Sequence, residues 1–400
     1  MQLTIHCQVY WPDNSAVAQM ITALAEDSAK AGYAVTVITS TRGYNIEQTY
    51  SPFETREHVK IIRVGGANFA RHSIFGRLAN HFSFLLFSGL KLLRLPKPDC
   101  LLVTTVPPFS LLLAVLILFG WRTPFVYVIE DFYPEIAFIS GYLNRDSLCG
   151  RMLRHFFGWM TRQASAVIVL GDYMKKRVTE AHPQLNKDSI YSIHNWQDGA
   201  LIFPRPRHDE PTVGVLFQYS GNLGEAHDFV TLLDAIKSLP GELHVQFEFI
   251  GRGKQRNFLE AAIAESQLAH CHVKDYVPQE LLNESLNRAH VCLVTLKRGY
   301  EGLIVPSKIY GIMAAGKPVI FIGALDGEIP SLIRQHEIGW FVEQGDVAEL
   351  VRVIRIAVRR ADLREQFGRN AYQAFSSHYE RSLATEKYIH VFDSVTKRVR

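Results

Sequence analysis

The chain has 400 residues, 48% of them hydrophobic and 20% charged, and carries a net charge of +4. Domains commonly hold about 100 to 200 residues, so two cores are expected, and so small a net charge gives no indication of nucleic acid as a partner. Cys7, Cys100, Cys149, Cys271 and Cys292 are too scattered for a disulfide framework or a zinc site, which leaves them as reduced thiols.

Residues 1–10 read as a strand, with neither a basic leader nor a small-residue cleavage site, so the expected location is inside the cell. A strand at 3–9, a helix at 16–31 stopped by Gly32 and a strand at 34–39 make one βαβ unit. Apolar runs at 59–64, 100–105, 125–129 and 166–170 continue it toward a parallel sheet. The long apolar stretch 101–119 is divided by Pro107 and Pro108 into a strand and a short helix, below the roughly 20 residues a membrane span requires. Residues 195–211 are polar and proline-containing, as a linker would be. Beyond them the pattern repeats, with strands at 216–220, 245–250, 271–274, 291–295 and 318–322. The expected domains are therefore 1–197 and 198–380, with a helix at about 381–400 that either extends the second domain or returns to the first.

Charge is distributed unevenly. No acid lies between Glu57 and Asp99, where Lys60, Arg63, Arg71, Arg77, Lys91, Arg94 and Lys97 sit among Phe69, Phe75, Phe82, Phe84, Leu85, Leu86 and Phe87. A second acid-free stretch, 147–171, sets Arg151, Arg154 and Arg162 beside Phe156, Phe157 and Trp159. Two readings fit: interfacial helices on anionic lipid, or core aromatics with solvated cations.

Several turns are candidates for chemistry. Gly221-Asn222-Leu223-Gly224 and Gly251-Arg252-Gly253 each follow a strand and lead into a helix, where glycine lets a phosphate approach the backbone. Tight strand-to-helix turns serve any doubly wound sheet, so each is equally a structural turn. In Glu301-Gly302-Leu303-Ile304-Val305-Pro306-Ser307-Lys308, Pro306 suits a first helical turn and brings a hydroxyl and a cation to that end, against the alternative of a solvated helix start. Asp131 and Glu135 follow the strand at 125–129, where they either work as acid, base or hydroxyl-orienting groups or cap the next helix. Asn14 and Ser15 likewise cap the first helix, face a ligand, or do both. Neither histidine pairs nor an Asp-x-Asp pair offers a divalent-cation site, and a Gly-x-Gly-x-x-Gly turn, a P-loop and a nucleophile elbow are all missing from the sequence.

Taken together, Tyr10-Trp11-Pro12, residues 32–39, residues 130–135, His194-Asn195, residues 219–224, residues 250–253, residues 276–278 and residues 306–319 resemble the bacterial family-4 retaining glycosyltransferases. The likeness is nearest to those that build surface polysaccharides such as colanic acid and O-antigen. It implies an α/β, GT-B fold: two Rossmann-like doubly wound parallel-sheet domains facing a central cleft, the last helix crossing back to the first domain. It further implies a nucleotide-sugar donor, UDP-linked, with the nucleobase near the segment Asp275 to Pro278, Tyr276 and Val277 included. The diphosphate would meet Gly221, Pro306, Ser307 and Lys308, and the acceptor side would be served by Asp131 and Glu135. Neither a cofactor nor a metal is expected. The implied acceptor is a saccharide or a polyprenyl-diphosphate-linked sugar, reached by a cytoplasmic protein in peripheral contact with the inner face of an anionic membrane.

Two departures stand out. Asn222 occupies a place where many family members have a cation, leaving Lys308 with Arg252 or Lys254 to offset the diphosphate. Leu303 and Gly311 stand where two glutamates are common, with Glu301 near enough to substitute. A nucleotide-sugar epimerase of the same architecture and a non-catalytic nucleotide-sugar-binding subunit are the rival expectations.

Overall fold

The computed structural model describes residues 1–43, 49–69, 74–205, 214–241 and 243–397, without the side chains of residues 74 and 77. Arg71, Arg77 and the end of the expected linker thus lie outside the described residues. The chain divides into two compact units: Met1–His194 with Gly302–Ile304 and Ser382–Arg400, and Asn195–Glu301 with Val305–Arg381.

Among the described residues of unit 1, the strands are β1 (Gln2–His6), β2 (Ala34–Ser40), β3 (Phe53–Arg56), β4 (Val59–Val64), β5 (Cys100–Thr104), β6 (Phe125–Ile129), β7 (Ala166–Val169) and β8 (Ile190–Ser192). They form one sheet in the order β3-β4-β2-β1-β5-β6-β7-β8, parallel except for the β3–β4 hairpin. Its helices are α1 (Ala16–Lys30), α2 (Ile74–Leu92), α3 (Ser110–Trp121), α4 (Glu135–Ile139), α5 (Leu148–Arg162) and α6 (Asp172–Ala181). Every residue of β5, β6 and β7 is buried, as a parallel sheet covered on both faces demands.

Unit 2 holds β9 (Val215–Ser220), β10 (Val245–Ile250), β11 (Cys271–Lys274), β12 (Val291–Thr295), β13 (Val319–Gly323) and β14 (Gly339–Glu343), all parallel, in the order β11-β10-β9-β12-β13-β14. Its helices are α7 (Val230–Lys237), α8 (Arg256–Glu265), α9 (Leu282–Arg288), α10 (Lys308–Ala314), α11 (Glu328–His336), α12 (Val347–Arg359) and α13 (Ala361–Ala374). Phe217, Phe229, Phe247 and Phe249 are fully buried at its centre, with Phe217 and Phe247 stacked at 5.1 Å.

The last helix, α14 (Arg381–Lys397), buries Tyr388, Val391, Phe392 and Val395 in unit 1. The Tyr33 hydroxyl donates to Asp393, and the Thr385 hydroxyl donates to Asp27 at 3.0 Å.

Some boundaries differ from the sequence expectation. β1 stops at His6 instead of Val9, since beyond it the Gln8 N–H turns to the Val106 carbonyl at 2.9 Å. β3, β8 and β14 were not expected. The β3–β4 turn places Glu57 and His58 at φ 47° and 63°, a left-handed pair usually signalled by Asn-Gly, which is why the hairpin left no mark in the sequence.

Candidate functional site

In unit 2 the two glycine turns lie against each other. β9 delivers Gly221 at φ +140°, and its N–H donates to the Ile250 carbonyl at 2.9 Å. Gly251, at φ +150°, packs so closely that a Cβ would strike the Gly221 carbonyl oxygen; a Cβ on Gly253 would likewise strike Leu223. Glycine at 251 and 253 is thus required by turn-on-turn packing. Gly221 is different, because a Cβ there would lie 3.1 Å from Lys308 Cε and 3.2 Å from Nζ.

Lys308 opens α10, with Ser307 preceding it as a cap residue whose hydroxyl makes no capping bond. The Lys308 ammonium is buried, has no hydrogen-bond partner among the described residues, and stands 3.7 Å above the centroid of Tyr219. Burial holds its pKa well below the usual lysine range. Beside it, His227 Nδ1–H donates to the Thr295 carbonyl at 2.6 Å, and burial, followed by the Lys308 charge, lowers the imidazole to about 3. The Tyr219 hydroxyl donates to the Asn222 carbonyl at 2.7 Å. A buried cation held by an aromatic face, a neutral imidazole and a glycine turn forms a cradle suited to an anion.

The other predicted donor residues occupy varied positions. Asn222 packs its side chain against Gly224 and Gly253, whereas Leu223 is a core residue with no exposed side chain, so only its backbone can meet a ligand. Arg252 is exposed and bonds both oxygens of Asp275, at 3.1 and 3.2 Å, with Arg256 on the same carboxylate. Lys254 pairs with Glu225 at 2.8 Å. Carboxylates already hold both cations, so either would have to exchange its partner to help Lys308 offset a diphosphate. Tyr276 is exposed, its ring edge 3.5 Å from the Cβ position of Gly251, and Val277 beside it is half-buried. Pro306 is buried. Both oxygens of Glu301 accept from the Gly299 N–H, at 3.0 and 2.8 Å, folding this carboxylate back on its own loop. Gly302 belongs with unit 1, where a Cβ would lie 2.7 Å from Arg177 Cγ and from the Tyr173 carbonyl oxygen. That close approach is its reason for being glycine.

In unit 1 the Thr105 hydroxyl accepts from the N–H groups of Glu130 and Asp131, both at 3.1 Å, fixing the turn after β6. Burial raises the Asp131 carboxyl to about 6. Glu135 is the first residue of α4; its carboxylate oxygens are buried without a hydrogen bond, and Arg154 Nε is 3.6 Å away. Burial raises its pKa, opposed in part by Arg154, Arg145 and Arg177. Asn14 is exposed, and Ser15 caps α1 by accepting from the Ala18 N–H at 3.4 Å. Among the described residues, no three His, Cys, Asp or Glu side chains converge to hold a metal ion.

Sequence reasoning gave no site role to Tyr219, Thr105 or Arg154. Tyr219 precedes the glycine turn by two residues, so strand alternation alone was the signal available for its ring.

Residues 204–374 match the family model described as glycosyl transferases group 1, and residues 15–196 match a glycosyl transferase 4-like domain. A probable glycosyltransferase of Pseudomonas aeruginosa, WbjE, is 31% identical over 288 residues, covering 69% of this chain and 70% of that protein. The chain belongs to the group 1 glycosyltransferases. Two solved structures share the fold of this glycosyltransferase. Sucrose-phosphate synthase from Thermosynechococcus elongatus superposes with a TM-score of 0.82 at 15% identity over 100% of both chains. Anabaena HepE, in complex with UDP-glucose, superposes with a TM-score of 0.73 at 15% identity over 98% of this chain and 100% of its own. The fold class is GT-B, with a parallel sheet in each unit. Among the described residues of the glycosyltransferase, no helix is long and apolar enough to cross a membrane.

Proposed function

We propose that this glycosyltransferase is a retaining enzyme that moves a hexosyl or N-acetylhexosaminyl group from a UDP-linked donor to a lipid-linked or saccharide acceptor in bacterial surface-polysaccharide assembly. The reading places it on the cytoplasmic side, in peripheral contact with the membrane, and has it work without a metal ion. One observation carries the donor half: the buried, unpartnered ammonium of Lys308 between Tyr219 and Gly221. A cation in that state is costly until an anion arrives, and a diphosphate supplies two charged groups. The UDP-glucose complex of HepE, a protein of the same fold, supports a uridine nucleotide.

In the proposed reaction the acceptor oxygen bonds to the anomeric carbon as the bond from that carbon to the diphosphate oxygen breaks. The new bond forms on the face the leaving group vacates. Charge then grows on the diphosphate, where Lys308, Ser307 and the backbone N–H of Asn222 are assigned to stabilise it. Asp131, with its carboxyl near 6, is assigned to the acceptor proton, and Glu135 to orienting the acceptor.

The test is Lys308→Ala assayed with UDP-sugars and acceptor. Losing one preorganised contact to a developing charge costs about 2.7 to 4 kcal/mol, so kcat should fall about 10²- to 10³-fold. Turnover within a factor of about three of wild type would remove the assignment. Conversion of the donor without acceptor would instead reveal an epimerase.

A further inference from the structure

We propose that the joint outer face of α2, α3 and α5 is a docking surface for an anionic lipid bilayer. It deepens the membrane-linked acceptor reading above, but its observations are separate from the donor site.

Each helix presents its apolar stripe outward. On α5, Leu148, Met152, Phe156 and Trp159 follow i, i+4, i+8, i+11 spacing and are all exposed, Leu148 to 69%. On α2 and just beyond its end, Phe75, Leu78, Phe82, Leu86, Leu90 and Leu93 form a second stripe at helical spacing, with Phe75 80% exposed. On α3 the outward residues are Leu116 and Phe119. A solvated helix has a polar outer face, and here the core is already filled from the opposite sides by Phe84, Leu111, Val115, Phe157 and Met160. The α3 and α5 stripes are continuous, and α2 lies beside them, Phe82 stacking on Phe109 just ahead of α3. α3 packs against both α2 and α5, and Phe119 stacks on Trp159 at 6.2 Å, which in turn stacks on Phe156.

Charge selects the occupant. The chain has 39 acidic residues, yet α2, α3 and α5 contain none. Arg94, Arg122, Arg151 and Arg162 are exposed on these helices or just beyond their ends. A second copy of this chain would set these four cations against their equivalents, with the exposed Asp146 just before α5 offsetting them only in part, whereas an anionic headgroup layer supplies the missing charge. Exposed indole and phenyl rings beside arginines also suit the headgroup boundary.

The full-length protein should float with vesicles containing phosphatidylglycerol at least about tenfold more than with phosphatidylcholine alone, and salt should weaken this binding. Trp159 emission should shift to the blue on vesicle addition, a change lost in Trp159→Phe. The double variant Leu86→Glu/Phe119→Glu, altered only at exposed positions, should lose at least about tenfold of the vesicle-bound fraction while keeping its thermal shift with UDP. Absence of wild-type flotation, unchanged flotation of the double variant, or a solution dimer that the same substitutions dissociate would each overturn the proposal. Flotation retained alongside failed sugar transfer would sink the reaction assignment and leave the surface standing.

Discussion

A single lysine concentrates the electrostatics of unit 2. Burial depresses the Lys308 pKa, and a bound diphosphate should raise it again by favouring the ammonium. Calorimetry of UDP binding in buffers of different ionisation enthalpy should therefore show proton uptake that grows as pH is raised and that Lys308→Ala abolishes. Asp131 makes a complementary case. Its folded pKa, about 6, lies above the ordinary aspartate value of 3.8, so the folded state holds the extra proton and stability declines as pH rises from about 4 through 6. Asp131→Asn should therefore be more stable at neutral pH, by on the order of 3 kcal/mol, as a shift of about two pKa units implies. Urea midpoints at about pH 5 and 7.5 should differ for wild type and coincide more closely for the variant. If Asp131 accepts the acceptor proton, the same variant should lose about 10²-fold or more in kcat. A residue that stabilises when neutralised yet is needed for turnover is one retained for chemistry.

α10 shows how much an element can hide. Seven residues long, it carries Lys308 at one end and Gly311 within it, where a Cβ would meet only Leu286 Cδ1 at 3.8 Å and Gln197 Nε2 at 4.0 Å. Gly311→Ala should thus raise stability by about 0.5 to 1 kcal/mol, read as a higher thermal midpoint, since the helix gains propensity without a clash. Much at this scale was legible beforehand. Glycine turns after apolar runs marked β9 and β10, and the strong run at 291–295 became β12 within the same bounds. What stayed hidden has a physical cause in each case. β14 (Gly339–Glu343) has mostly half-buried residues and starts on a glycine, so neither alternation nor an apolar run announced it. The turn at Gly251 and Gly253 fitted a phosphate approach and a structural turn equally in sequence, and the contact that makes its glycines necessary comes from the neighbouring turn. The contact of Lys308 with Tyr219 joins residues far apart in sequence, and no local pattern encodes which long-range neighbour a buried side chain will meet. Arg252 looked free because its partner, Asp275, lies on a different turn.

Across the whole chain, α14 matters most to the unit it joins. Removing residues 382–400 would uncover the surface covered by Tyr388, Val391 and Phe392 and remove the hydrogen bonds Tyr33 to Asp393 and Thr385 to Asp27. Loss of several buried aromatic and aliphatic side chains costs roughly 1.5 to 3 kcal/mol each, so unit 1 of the truncated protein should be strongly destabilised. Hydrogen exchange should show lost protection over residues 1–194 while the strands of unit 2 stay protected. Equal loss in both units would contradict that assignment.

The placement of α14 also sets an order of events on the ribosome. Every residue from 195 to 381 except 302–304 belongs to unit 2, a nearly continuous segment that can close as soon as it emerges. Unit 1, although translated first, must wait for the final helix before its surface beside Tyr33 is sealed. The earliest half of the polypeptide is therefore the last to mature, and during that interval its apolar patches are most in need of a chaperone.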